Sequence, residues 1–316
     1  MPPVLGAPDG AGDPMRQAHE NTERLAPVPA LKEKSPRVIR VPHWATASGS
    51  ASDPLSGLPP AGTARRKTAL PMAEDVRSTA TVRDVRGPDD FAAAFDVSRE
   101  TIARLETYEK LLRHWQSAVN LVSPATLDVV WLRHFADSAQ LVGILPAARR
   151  RWIDLGSGGG FPGLVIAILL AGRAASPAIP AEEGDGSSPL SRVTLIESDT
   201  RKAAFLREVV RQCAFEGAVA VEILSTRAES VRIKVNGSLP RVICARALAP
   251  LDRLFEFAAP LSPPGTTGLY LKGKGVAEEL HAAEKSWKFN VELVPSVTSH
   301  DGRVVVITNL ERKAKD

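Results

Sequence analysis

Cysteine is scarce: only Cys213 and Cys244 occur in 316 residues. That excludes a disulfide framework and fits a reducing compartment. Long apolar runs are missing too, since the longest, Leu164 to Ala171, is far shorter than the roughly 20 residues a membrane span needs. No N-terminal segment pairs basic residues with an apolar core, so no export signal is read and the cytoplasm is the expected location, away from any membrane. Charge of one sign is weak as well. The net charge is +4, and residues 1–88 hold 12 Lys and Arg against 9 Asp and Glu, so most of the surplus lies there. That balance is too small to establish a nucleic-acid partner by itself. No clustering of metal-ligand residue types is found, so no metal is expected.

What is present is the composition of a globular protein, 44% hydrophobic and 24% charged, long enough for one large domain or two small ones. Residues 1–88 hold 13 of the 25 prolines and show no sustained apolar periodicity. They read as a disordered leader, because such a segment cannot bury enough surface to offset its ordering entropy. Arg65-Arg66-Lys67 would suit a basic RNA-binding arm, a solvated tail fits the same letters, and translation from Met72 would remove most of the segment. A helical region is expected over 89–148. Ser98 is placed to cap a helix whose apolar face carries Ile102, Leu105, Tyr108, Leu111, Leu112 and Trp115, and a second helical stretch follows from about Leu127 to Leu145.

The remaining domain, 149–316, alternates strand and helix. Strands are expected at Trp152–Leu155, Val193–Glu197, Ala220–Leu224, Arg241–Ala245, Thr267–Leu271, Val291–Pro295 and Arg303–Asn309. Helices are expected at Pro162–Ala171, Thr200–Cys213, Leu251–Ala259 and Val276–Ser286. The alternation implies an α/β fold with a mostly parallel seven-stranded sheet, and the last two strands, with no helix between them, imply an antiparallel hairpin. Residues 173–191, rich in Pro, Gly and Ala, read as a loop insertion.

The first strand runs into Asp154-Leu155-Gly156-Ser157-Gly158-Gly159-Gly160-Phe161-Pro162-Gly163. A glycine-rich turn before a helix lets a ligand approach the backbone, and the N–H groups at the helix start favour polar or anionic ligands. Gly158 to Gly163 matches the G-x-G-x-x-G dinucleotide pattern, which keeps a nicotinamide oxidoreductase in view. Asp154, two residues before Gly156, favours S-adenosylmethionine instead, because its carboxylate suits a cationic amino-acid moiety and would repel a pyrophosphate. Glu197, at the end of the second strand, is a candidate for the ribose hydroxyls. It lies 41 residues after Gly156, and removing 173–191 brings that near the usual spacing of about 20. After the third strand, Ala228 and Glu229 are placed to meet an adenine edge, although a plain helix start explains the same letters.

Few groups are suited to acid–base or covalent chemistry. No D/N-P-P-aromatic tetrapeptide follows the fourth strand, and Cys244 sits in an apolar strand as a buried structural thiol would. A reaction needing no base fits best: guanine N7 has a lone pair and no proton, so alignment suffices. Arg246 and Lys272, at the ends of the fourth and fifth strands, are candidates to hold the guanine edge or a phosphate, with His134 and Arg133 as further candidates.

Taken together the motifs resemble one family, the bacterial small-subunit ribosomal RNA methyltransferase G. The matching strings are Trp115 with Asn120-Leu121-Val122-Ser123, Arg133-His134-Phe135-Ala136-Asp137-Ser138, the glycine loop from Asp154 to Gly163, Arg227-Ala228-Glu229, Arg246-Ala247 and Leu271-Lys272-Gly273. The resemblance covers about residues 98–310. It implies a monomeric Rossmann-like class I methyltransferase with a small helical N-terminal region, acting with S-adenosylmethionine on N7 of a guanine in 16S ribosomal RNA of the small subunit. It places Gly156, Phe161, Ala228, Glu229 and Arg246 on cofactor-binding positions, to which the residue pattern adds Asp154, Gly158, Gly160 and Glu197. A non-catalytic RNA-binding assembly factor remains the alternative outside enzymes.

Overall fold

The computed structural model describes residues 82–145, 151–174, 191–215, 219–231 and 241–314. The expected leader up to residue 81 and residues 175–190 of the expected insertion lie outside the described residues. Seven strands form one sheet: β1 (Arg151–Leu155), β2 (Ser191–Ile196), β3 (Val219–Leu224), β4 (Arg241–Arg246), β5 (Thr267–Lys272), β6 (Trp287–Pro295) and β7 (Arg303–Arg312). Their order is β3-β2-β1-β4-β5-β7-β6. Strands β1 to β5 are parallel to one another, and β7 is antiparallel to both β5 and β6. The strand order reverses between β1 and β4, and in such sheets the crevice at the carboxyl ends of those strands is where ligands bind.

Alternation along each buried strand divides the core. On β1, Trp152 faces one apolar cluster while Ile153 and Leu155 face the other. The first cluster lies under α4 (Gly163–Ala174) and α5 (Thr200–Cys213), and the second under α6 (Leu251–Ala258) and α7 (Val276–Glu284). The α5 helix starts where Asp199 accepts from the backbone N–H groups of Arg201 and Lys202, a sequence-local cap.

The N-terminal helices pack onto the α4–α5 side. They are α1 (Pro88–Phe95), α2 (Arg99–Gln116) and α3 (Asp137–Ile144). Ser98 caps α2 through a 3.3 Å bond from Thr101 N–H. Leu105, Tyr108 and Leu112 on α2 are fully buried in the same cluster as Phe205 of α5 and Leu164 of α4.

Several expected boundaries move. Val82 and Val85 are buried in this cluster, so residues 82–88, assigned to the disordered leader, belong to the folded region. Two apolar side chains three apart were too short a signal to reveal it. The stretch expected to be one helix over 127–145 is instead a π-helical turn at Trp131–Ala136 leading into α3, with a short 3-10 turn at Pro124–Thr126 just before the stretch. A π-turn inserts an extra residue and redirects carbonyls and side chains. Strand β6 begins at Trp287 rather than Val291, because Trp287 is buried against Phe255 while a register irregularity at Lys288–Asn290 breaks the alternation. Among the described residues no helix is long and apolar enough to cross a membrane.

Gly163 sets how closely α4 lies on the sheet. A Cβ there would stand 2.7 Å from Asp154 Oδ2 and would overlap the Leu195 side chain. Gly163→Ala is expected to lower stability by about 1–3 kcal/mol through overpacking, read as a lower denaturation midpoint at unchanged slope.

Candidate cofactor and substrate site

The bend after β1 is built from three residues in the left-handed region, Gly156, Gly158 and Gly160, with φ of 66°, 54° and 93°. Side chains with a Cβ rarely adopt these angles. At Gly156 a Cβ would in addition overlap the Leu248 side chain. The bend is tied down on three sides. Ser157 N–H donates to Ile196 O at 3.0 Å, and Gly158 N–H donates to Glu197 Oε2 at 2.8 Å. From the helical region, the buried Tyr108 hydroxyl donates to Gly159 O. The Tyr108 ring also stacks on Phe161, with centroids 5.2 Å apart and planes at 17°.

Asp154 does not face the crevice. It lies on the Trp152 side of β1, fully buried, and its Oδ2 accepts from Gly163 N–H at 2.9 Å. Among the described residues its Oδ1 has no hydrogen-bond partner. The expected contact with a cationic cofactor group is therefore corrected: this carboxyl props the first turn of α4 and so the bend above it. Burial pushes its pKa up to about 7, against the lowering effect of the Gly163 and Ser157 contacts.

Glu197 does line the crevice. Its Oε1 accepts from Asp199 N–H at 2.7 Å and its Oε2 from the glycine bend. Each carboxylate oxygen can accept a second bond, so capacity remains for a vicinal diol. Ala228 begins a 3-10 turn after β3, and Glu229 beside it is exposed, 3.6 Å from Arg253. Both line the same crevice.

Arg246 is a hub rather than a free cation. Its Nη1 donates to Arg133 O at 3.0 Å and its Nη2 to His134 Nδ1 at 2.7 Å. Asp137 Oδ2 lies 3.6 Å away, and the guanidinium carbon sits 5.0 Å from the Phe161 ring centroid. A guanidinium only donates, so His134 Nδ1 accepts and Nε2 carries the hydrogen. That hydrogen goes to Thr126 Oγ1 at 2.8 Å, whose own hydroxyl donates to Ser123 O at 2.7 Å. Burial, with Arg246 and Arg133 nearby, pushes His134 down to about 3. His134 is thus a neutral strut with both nitrogens engaged, and the expected substrate contacts of His134 and of the Arg246 guanidinium are corrected to positioning contacts.

Lys272 is corrected in the same way. Its side chain is 9% exposed, with Nζ 2.6 Å from Ala249 O and 2.7 Å from Glu279 Oε2. Glu279 Oε2 also accepts from Leu251 N–H at the start of α6, so this lysine fastens the end of β5 to two helices. The Arg133 side chain is exposed and lines the crevice, together with Lys202, Arg227 and Arg303. Cys244 is fully buried with its thiol pushed well up by burial, which suits no nucleophile.

The crevice encloses about 1180 Å³, above the roughly 300–1,000 Å³ of a site for one small molecule. Its lining includes Gly156, Gly158, Glu197, Ala228 and Glu229, and also Leu121, Ser123, Arg133, Asp137, Ser299 and Arg303. Phe161 and Arg246 line it too, with Phe161 against the His134 ring and Arg246 over Phe161. Room for a nucleoside-type cofactor and a second planar group follows from that size. Sequence reasoning missed two residues: Tyr108, read only as part of an apolar helix face, and Asp137, present in a motif but given no role.

Residues 101–306 match the family described as rRNA small subunit methyltransferase G. A protein of Parvibaculum lavamentivorans named ribosomal RNA small subunit methyltransferase G is 47% identical over 225 residues, covering 70% of this chain and 89% of that one. A protein of the same name from Rhodospirillum centenum is 46% identical over 221 residues, covering 70% and 90%. A third, from Methylobacterium nodulans, is 44% identical over 222 residues, covering 70% and 95%.

The Asp154 carboxyl makes a pH prediction. Its folded pKa of about 7 lies above the ordinary 3.8, so between those values the folded chain holds a proton the unfolded chain has lost. Its contribution to stability is greatest below the ordinary value and is lost as pH rises through the folded one. Asp154→Asn carries no such loss. Melting of both proteins at about pH 5 and about pH 8 should show the variant gaining on the wild type at the higher pH, and a constant difference would refute the assignment.

Proposed function

As the chain belongs to the rRNA small subunit methyltransferase G family, we propose that it transfers a methyl group from S-adenosylmethionine to N7 of a guanine in 16S ribosomal RNA. The observation that carries this reading is a crevice at the strand-order reversal, lined both by the glycine bend and by the cations Arg133, Lys202, Arg227 and Arg303.

The residues present fit the cofactor. Gly158 leaves its backbone open toward the crevice, where a Cβ would meet only Gly156 O at 3.9 Å, and Gly156 lines the crevice beside it, whereas Gly160 packs on Tyr108 and Leu164 and shapes the bend from behind. Glu197 retains acceptor capacity for the ribose hydroxyls, and Ala228 with Glu229 borders the space for the adenine. Phe161, pinned between Tyr108 and Arg246, walls the crevice beside the bend. The cofactor supplies an activated methyl on a sulfonium. The protein supplies alignment, which can account for roughly 7–11 kcal/mol of a barrier. No base is required, because N7 bonds to the methyl with its own lone pair and no proton leaves. The neutral, fully engaged His134 agrees with that.

Arg133, Lys202, Arg227 and Arg303 provide cations for phosphates around the crevice, a salt-sensitive grip that carries no base preference. We take the working form to be a monomer in the cytoplasm, where ribosomal RNA is processed.

The test uses small subunits from a strain lacking the gene. Incubation with the purified protein and S-adenosylmethionine should produce 7-methylguanosine in a 16S fragment, detected by mass spectrometry. Tight RNA binding without methyl transfer would favour an assembly factor. Alanine at Arg133 or Arg303 should reduce the slope of log affinity against log salt by about 1 each, with cofactor affinity unchanged.

A further inference from the structure

Asp137 lines the crevice beside Arg133 and His134. It begins α3, directly after the π-helical turn, and its side chain is 14% exposed. One carboxylate oxygen is fully used: Oδ1 accepts from Gln140 Nε2 at 2.9 Å and from Thr298 Oγ1 at 2.7 Å. Those donors are themselves fixed, since Gln140 Oε1 accepts from Val297 N–H at 3.1 Å and Ser296 Oγ bonds Thr298 N–H at 3.2 Å. The other oxygen is held differently. Oδ2 stands 3.6 Å from Arg246 Nη1, longer than the roughly 2.7–2.9 Å of a charge-assisted hydrogen bond. Arg246 meanwhile spends its shorter contacts on Arg133 O and His134 Nδ1.

The carboxylate is thus rigidly oriented by one oxygen while the other keeps acceptor capacity, in the crevice that the glycine bend also lines. An oriented anion of this kind suits a ligand face with adjacent N–H donors. Among the four RNA bases only guanine presents two neighbouring donors, N1–H and the 2-amino group, on one edge. Uracil offers a single N–H between two carbonyls, which a carboxylate would repel. Adenine and cytosine each present an amino group beside a ring nitrogen lone pair.

We propose that Asp137 Oδ2 receives the N1–H and 2-amino donors of the target guanine and selects that base. This rests on the reading of the site as a guanine-N7 methyltransferase. It also bears on the rate. The N7–methyl bond forms as the sulfur–methyl bond breaks, the bonding pair stays on sulfur, and the purine acquires the positive charge. N1–H becomes more acidic as that charge develops, so its bond to a fixed carboxylate strengthens in the transition state. Asp137 is then a catalytic residue in contact with substrate, and Thr298 and Gln140 are its positioning residues.

The test changes one atom group on each side of the contact. Small subunits are reconstituted with 16S RNA carrying guanosine or inosine at the target, inosine lacking only the 2-amino group. Both are assayed with the wild type, Asp137→Asn and Asp137→Glu. The wild type should methylate the inosine substrate about 10- to 100-fold more slowly, the size of one charge-assisted hydrogen bond. Asp137→Asn should lose a similar factor on guanosine, discriminate little between the two substrates, and bind S-adenosylmethionine within about threefold of the wild type. If Asp137→Asn fails to fold, Asp137→Glu, which keeps the charge but displaces it, should show the same loss of discrimination. A wild type indifferent to inosine, or a folded variant keeping the wild-type ratio, overturns the proposal. A wild type that methylates neither substrate overturns instead the function on which it rests.

Discussion

The hydroxyl of Tyr108 on the carbonyl of Gly159 is the contact on which the site depends. A bend made of three left-handed glycines has no side chains with which to hold itself, and glycine is the residue with the most conformational freedom to lose. Its shape must be imposed from outside. Glu197 does so from the neighbouring strand and Asp154 from beneath, but the carbonyl side is held by a phenol from the helical region. The residue after Gly159 has no Cβ for the same reason, since one at Gly160 would lie 2.5 Å from the Tyr108 hydroxyl. The N-terminal helices are therefore a wall of the methyltransferase site and not an appendage to it.

Buried polar groups divide their work by the face they occupy. Asp154 and Glu197 end adjacent parallel strands, yet one supports a helix start in the core while the other lines the crevice. Arg246 is a cation withdrawn from water, and it is tolerated because a carbonyl, a neutral imidazole, a carboxylate and an aromatic face surround it. Desolvating a charge costs several kcal/mol unless such partners are present. The π-helical turn brings two of those partners together, the Arg133 carbonyl and the His134 ring. Irregular helix geometry here serves to join the helical region to β4.

The parallel sheet was legible because strands buried on both faces read as short apolar runs, and helices between them as amphipathic stretches. The glycine bend was legible because few structural needs other than a ligand place so many glycines after a strand. The facing of Asp154 was available from alternation with Trp152, but the motif's spacing suggested a ligand contact instead. Lys272 and Arg246 could not be resolved from composition, since a sequence does not say which cations find buried partners. Tyr108 and Asp137 were hidden for a related reason: their importance lies in hydrogen bonds to residues 51 and 161 positions away.

Titration calorimetry of S-adenosylmethionine against the wild type and Tyr108→Phe tests the central claim most directly. The substitution keeps the buried ring and its stacking on Phe161 and removes only the hydroxyl. The account predicts binding to the wild type and affinity about 10-fold weaker in the variant, the worth of one buried hydrogen bond, with the fold retained. Equal affinities in the two proteins, or a wild type that does not bind the cofactor, would contradict it.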